Sequence, residues 1–299
     1  MPDGLSPRGK RDERLPTLSG IGQPRFAAAV FAGGGNRCFW QAGFWSEAAP
    51  ALGLGRSLRR VAATSAGAAI ACVLLAGRLR EGLAHFRSAV AANPRNVYPG
   101  NVFHGRRVFP HAEIYRRALL ALIDRDALAR LHAGPELLVP VTRAPGWLGA
   151  RTAFAVAGLA DALEHLAQPS VHPRLARRLG FAAEYVPVRS CPSPEALADL
   201  VLASSCTPPF TPALTHGGRP ALDGGIADNV PAAAVDSDDG PTLVLLTRPF
   251  TRLPRDPARV YVQPSVPVPV SAWDYTDPAG IQAAFDLGRR DAGRFARAV

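Results

Sequence analysis

Three short stretches carry side chains and bare backbone that together suit acyl chemistry: "GGGNR" at 33–37, "TSAG" at 64–67 and "DGG" at 223–225. Ser65 stands between a strand pattern and a helix pattern, and Gly67 follows two residues later. A serine at such a tight strand-to-helix elbow is lifted out of the sheet, next to the positive end of its helix, which is how hydrolases present a nucleophile. An ordinary helix N-cap is the plainer role for the same residue. A serine hydroxyl needs a base. Asp223 ends a short apolar segment and precedes two glycines, so its carboxylate sits on a sharp turn with little bulk around it. Gly33, Gly34 and Gly35 cost backbone entropy that only a close approach to the main chain would justify. Placed between a strand and a helix, they leave N–H groups aimed at one spot with a helix dipole behind them, a receptor for an anion.

Other uses of these residues fit less well. A P-loop needs G-K-[ST] after its glycines, where this chain has Asn36, Arg37 and Cys38. A dinucleotide turn needs a third glycine where Cys38 stands. None of the seven histidines lies in the last 83 residues, where a Ser-Asp-His order would put one; only His216 could follow an acid such as Asp199.

The elements that must position these groups read as alternating strands and helices. Residues 26–31 form a buried strand, 37–48 a helix, 59–64 a second strand and 65–77 a second helix, with helix resuming through 79–92. Residues 93–110, rich in Gly, Pro and Asn, form a loop whose Val97, Tyr98, Val102, Phe103 and Phe109 would rim a pocket. Helix is expected at 111–123, strands at 136–144 and 182–190, helix after Ser193 and Pro194, a strand at 242–247, and a core-docked helix at 280–298. The region 241–278 reads as Pro-rich and of low complexity. This alternation predicts an α/β fold with a mostly parallel sheet and a ligand at the strand C-terminal ends.

Length and composition bound the rest. The chain has 299 residues, 47% of them hydrophobic, enough for one globular core; 25–299 is read as a single domain and 1–24 as a disordered lead-in. No apolar run reaches the roughly 20 residues of a membrane-spanning helix. Four separate cysteines, Cys38, Cys72, Cys191 and Cys206, fit a reduced, cytoplasmic protein, and neither a metal nor a cofactor is expected. The net charge of +10 comes almost wholly from arginine. No nucleic-acid motif accompanies it, so no nucleic-acid partner is expected, whereas peripheral contact with an anionic membrane surface is.

In this order, with "ASSCTPPFTP" at 203–212 before the aspartate and "NVP" at 229–231 after it, the motifs resemble the patatin-like phospholipases. The resemblance spans residues 26 to about 235. It implies a three-layer α/β/α fold and a serine lipid acyl hydrolase acting on an acyl lipid. Carried over by motif, Ser65 matches the nucleophile and Asp223 the general base. Gly33, Gly34 and Gly35 match the oxyanion loop, with Arg37 beside it, and Ala66 supplies a further N–H. Gly67, Gly224, Gly225 and Asn229 shape the supporting turns, with Pro231 completing "N-x-P". Two positions depart from the pattern, Cys38 and Ala63, where the family usually has glycine. A catalytically inactive member that binds lipid or protein is the alternative reading.

Overall fold

The computed structural model describes residues 26–148, 152–156, 170–172, 175–237 and 239–298. The lead-in expected at 1–24 lies outside them. The central element is β1 (Ala28–Phe31), every residue of which is buried. Such a continuous apolar strand is what a sheet covered on both faces requires. Parallel β2 (Arg60–Ala63) flanks it on one side and parallel β7 (Thr242–Leu245) on the other. Beyond β2 lie β3 (Glu136–Arg143), parallel, and β4 (Ala182–Pro187), antiparallel at the edge. Beyond β7 lies parallel β8 (Arg259–Val262), so the six-stranded order is β4-β3-β2-β1-β7-β8. Pro140 sits inside β3 but beyond Leu138, the last residue paired to β2, so its missing N–H interrupts no bond to that strand.

Helices flank the sheet, and the fold is α/β with a mostly parallel centre. Helix α1 (Phe39–Ala51) follows β1 through a 3-10 turn at Gly35–Cys38; α2 (Ala66–Leu75) follows β2. Next come α3 (Leu79–Ala91), α4 (His111–Leu122), α5 (Arg125–Ala133), and, after the short turn Leu175–Arg178, α6 (Pro194–Ser204). Gly77, with φ of 71°, ends the α2 segment where the sequence placed the break. Ser193 caps α6 through its hydroxyl, with Pro194 in the first turn. The last helix, Pro278–Ala296, packs along α1, and its Ile281, Ala292 and Phe295 are buried as expected of a docked helix. A side chain at Gly43 or Gly288 would run into the facing backbone, at Phe285 O and Trp40 O respectively. The two helices therefore touch main chain to main chain, and the buried Trp40 indole donates to Asp291 across the contact at 2.9 Å.

Three elements depart from the sequence reading. The Pro-rich 241–278 region contains β8, whose short alternating run is flanked by prolines that concealed it. Helix α5 begins on Asp124, which accepts from Ala127 N in the manner of an N-cap. A small hairpin, β5 (Leu214–His216) and β6 (Arg219–Ala221), turns on Gly217 and Gly218, both at positive φ. That Gly-Gly pair is a hairpin signal in its own right.

Candidate active site

Three adjacent parallel strands end level with one another. Phe31 pairs with Ala63 on one side and with Leu245 on the other. Each strand therefore delivers the residues after it to the same edge: Gly33–Gly35 after β1, Ser65 after β2 and Thr247 after β7. The chain leaves β1 for β2 on one side, while β7 lies on the other. This is the point where the strand order reverses, and open α/β sheets place ligands there. Asp223 arrives by another route. Leu222 and Thr142 exchange backbone hydrogen bonds of 3.1 Å in both directions, which pins residue 223 beside the C-terminal end of β3. Arg143, almost fully buried, secures this attachment by donating to the carbonyls of His216, Arg219 and Pro220 and to Glu184.

Ser65 has φ of 54° and ψ of −128°, the single non-glycine residue with positive φ among the described residues. Such a conformation costs on the order of 1–3 kcal/mol and persists only where surroundings impose it. The surroundings are explicit: Ser65 N donates to Ser204 Oγ at 3.0 Å, and Thr64 N donates to Phe31 O at 3.0 Å. Gly67 lets the elbow lie on β1, since a Cβ there would meet Ala32 O at 2.6 Å and Phe31 O at 2.7 Å. The Ser65 side chain makes no capping hydrogen bond to its helix. Instead Ser65 Oγ donates to Asp223 Oδ2 at 2.8 Å, with Ser205 Oγ 3.4 Å away.

Asp223 divides its two oxygens. Oδ1 accepts from Gly225 N at 2.7 Å, capping the short helical turn Gly224–Asp228, and Oδ2 faces Ser65 and accepts from Thr207 Oγ1 at 3.3 Å. Gly224 lies against Pro140 O, where a side chain would collide, so the glycines that follow the aspartate serve close packing. Tyr115 stands on the other side of the serine, its hydroxyl 3.5 Å from Ser65 O and beside Ser205. Burial pushes its phenol far above the ordinary range, so it stays a donor.

The glycine turn splits into donors and supports. Gly33 N is already engaged, donating to Asn229 O at 3.3 Å, and Gly33 O accepts from Thr247 Oγ1 at 2.8 Å. Gly33 therefore contributes closeness: a Cβ there would meet Asn229 Oδ1 at 2.5 Å and Ser65 Cβ at 3.4 Å. Among the described residues, the N–H groups of Gly34, Gly35 and Ala66 donate to no acceptor. Arg37 turns its guanidinium back, Nε donating to Gly34 O at 3.1 Å, so it braces the turn. Gly35, at φ of 58°, packs so tightly on the Ala272 carbonyl that no side chain fits.

Both departures from the glycine pattern are accommodated. Ala63 is fully buried in β2 and leaves the elbow intact. Cys38 is buried with its thiol 3.6 Å from Ala32 O, and burial raises its pKa to about 12, so it remains a neutral thiol. All four cysteines are buried and unpaired. Asp199 forms an exposed ion pair with Arg116, and His216 gives its carbonyl to Arg143; neither is hydrogen-bonded to Ser65.

Several supporting groups escaped the sequence reading. Ser204, Ser205 and Thr207 lie in "ASSCTPPFTP", a stretch singled out without roles for its hydroxyls. Gln41, a lone amide within an apolar helix, donates to Ala32 O and Leu245 O and ties the ends of β1 and β7 together. A polar residue at that position in an apolar stretch was the available signal.

An apolar cleft is lined beside Ser65 by Gly35, Ala66 and Tyr115. It runs between α2, α3 and α4 past Ala69, Ile70, Val73, Leu83, Phe86 and Leu119. The residues expected to rim a pocket, in 93–110, do not line it. Phe109 instead packs on Phe210 and His111, and Tyr98 OH bonds Asn93, while Val97, Val102 and Phe103 face solvent. The walls come from α2, α3 and α4 instead. Among the described residues, no helix is long and apolar enough to cross a membrane.

The crystal structure of VipD from Legionella pneumophila aligns over 92% of this chain and 67% of its own, with a TM-score of 0.47 and 12% sequence identity. None of the curated proteins compared matches the chain. The family model of the patatin-like phospholipases matches residues 29–236, well over half of the chain, from within β1 to beyond Asp223. The chain belongs to the patatin-like phospholipase family, a family of lipid acyl hydrolases.

Proposed function

We propose that this protein is a serine lipid acyl hydrolase that cleaves carboxylic esters of phospholipids or other acyl lipids through a Ser65–Asp223 dyad. Ser65 Oγ attacks the ester carbonyl carbon while its proton passes to Asp223 Oδ2, 2.8 Å away. Negative charge develops on the carbonyl oxygen and is met by the N–H groups of Gly34, Gly35 and Ala66, which have no competing acceptor. Collapse expels the alcohol, which leaves with the proton held by Asp223. Water then gives a proton to the same carboxylate, attacks the acyl-serine and releases the fatty acid, restoring the Ser65 hydroxyl. The acyl chain lies in the cleft that opens at Gly35 and Ala66.

One observation carries this reading. A serine held in a strained elbow spends its hydroxyl on a carboxylate rather than on its own helix, beside free main-chain donors at the end of an apolar cleft. The buried, unpaired cysteines support a cytoplasmic setting, and the net positive charge supports transient contact with anionic membranes. Residues 25–299 are read as one catalytic domain. The test is covalent labelling by a fluorophosphonate, followed by turnover of p-nitrophenyl esters and phospholipids. Labelling of Ser65 with ester release is expected; a folded protein that neither reacts with the probe nor releases product would overturn the reading.

A further inference from the structure

Phe103 and Val102 are the large apolar side chains most out of place in the segment 93–110: Phe103 is 90% exposed and Val102 63%. They are neighbours on the 3-10 turn Pro99–His104, and Val97, 42% exposed, lies in the same segment. The turn is internally braced. Tyr98 N donates to Val108 O at 2.8 Å, Arg106 N to Asn101 O at 2.9 Å and Asn101 Nδ2 to Arg107 O at 2.7 Å, while Gly105, at φ of 62°, reverses the chain. Hydrogen bonds close the base and leave the apolar tip outward. Arg95, Arg106 and Arg107 flank it in sequence, all exposed, and among the described residues none of the three has a carboxylate partner. The segment 93–110 contains no acidic residue.

The base of this tip is tied to the reaction centre. Asn93 Nδ2 donates to Tyr275 O at 2.8 Å, and Asn96 both donates to Asp274 Oδ1 and accepts from Tyr275 N. The same short strap receives the oxyanion turn, with Asn36 N donating to Ala272 O and Asn36 Nδ2 to Asp274 O. At its other end the segment lays Phe109 on Phe210, three residues from the Thr207 that bonds Asp223. Tyr275 itself lines the cleft.

We propose that the 97–107 tip is a docking wedge for an anionic phospholipid bilayer: Val102 and Phe103 enter the acyl boundary, and Arg95, Arg106 and Arg107 meet the headgroups. Apolar tips beside a cationic collar are what partition into such an interface, and each surface arginine adds attraction that salt screens. The strap at 272–275 then holds the oxyanion turn at a set distance from the lipid surface, so an ester reaches Ser65 from the bilayer. This deepens the function proposed above and rests on it only for that last step.

The test is sedimentation with vesicles of pure phosphatidylcholine and with vesicles carrying phosphatidylglycerol, using the wild type, V102S/F103S and R106E/R107E. Soluble p-nitrophenyl acetate turnover is followed in parallel. The substituted side chains are exposed, so the variants should keep the fold, which a thermal melt checks. Wild-type partition onto anionic vesicles is expected to exceed that onto neutral ones at least tenfold and to fall at least tenfold in either variant, with acetate turnover within about twofold. Ser65→Ala should bind vesicles like the wild type. Loop-dependent vesicle binding by a protein that hydrolyses no ester would leave the wedge standing and overturn the function. A wild type that ignores anionic vesicles, or variants that bind as it does, would overturn the wedge. A dimer dissolved by V102S/F103S without vesicle binding would also overturn it, assigning the tip to a second copy of the chain.

Discussion

In the proposed dyad the two oxygens of Asp223 are unequally committed. Oδ1 is held by the Gly225 amide and fixes the carboxylate, leaving Oδ2 toward Ser65. A residue that keeps the shape but cannot accept a proton should therefore lose the chemistry and keep the fold. Asp223→Asn is expected to lower ester turnover roughly 10⁴-fold, the scale seen when a carboxylate in a serine-hydrolase relay is amidated. Ser65→Ala should abolish turnover and fluorophosphonate labelling while moving the melting temperature little, since the strained backbone is kept and the lost hydroxyl bonds Asp223 rather than capping its helix. Initial rates and melts on both proteins check this. A Ser65→Ala protein with residual labelling elsewhere would move the nucleophile.

The glycine turn and the helix that follows it act as one element. Gly35→Ala must push the turn off the Ala272 carbonyl and adopt a φ that alanine resists, so two free donors lose their aim together. A loss of at least about 10²- to 10³-fold in kcat is expected, since removing even one oxyanion donor costs that much. KM for a short ester should move far less. The cleft is likewise a property of helices. Val73 lines the cavity near the end of α2 away from Ser65, and Val73→Phe should shorten the accepted acyl chain. Turnover of p-nitrophenyl palmitate is expected to fall at least tenfold with acetate nearly unchanged, and a uniform change across chain lengths would take the acyl chain out of this cleft.

At the scale of the whole molecule, one strap and one helix pair hold distant parts together. His111 sits among Phe109, Phe210, Trp273 and Tyr275, its Nε2 2.8 Å from Trp273 O and its Nδ1 unpartnered. Burial lowers its pKa below the ordinary 6.5, more than the Trp273 carbonyl and the nearby Asp274 raise it. The unfolded chain then binds the proton more readily, so this group costs nothing above about pH 6.5 and destabilises the fold progressively below it. Melting temperature should drop between pH 7.5 and 5.5, and His111→Asn should drop less; equal drops would place the acid sensitivity elsewhere. The contact of α1 with the last helix predicts a different failure. Gly43→Ile forces a branched side chain into the Phe285 backbone and should destabilise by about 2–3 kcal/mol, read by chemical denaturation, while the Ser65 geometry lies outside the disturbed seam.

Much of this was legible in one dimension. Local order is short-ranged: the strand before Gly33, the elbow at Ser65, the break at Gly77 and the cap at Ser193 each rest on neighbours a few residues apart, and each stands where its residue types put it. The types of the groups proposed to react were equally readable, because a serine at an elbow and an aspartate before two glycines are local patterns. Hidden were the features made by elements that meet only after folding. The cleft walls, the hydroxyl of Thr207 on Asp223, the engagement of Gly33 by Asn229 and the strap linking residues 93–110 to the oxyanion turn all join positions far apart in the chain. Sequence alone thus determined which groups are present and the local bend each sits on; tertiary structure decided that Ser65 and Asp223, 158 positions apart in the chain, meet at 2.8 Å, since contact at that separation depends on strand order and register, which no local preference encodes.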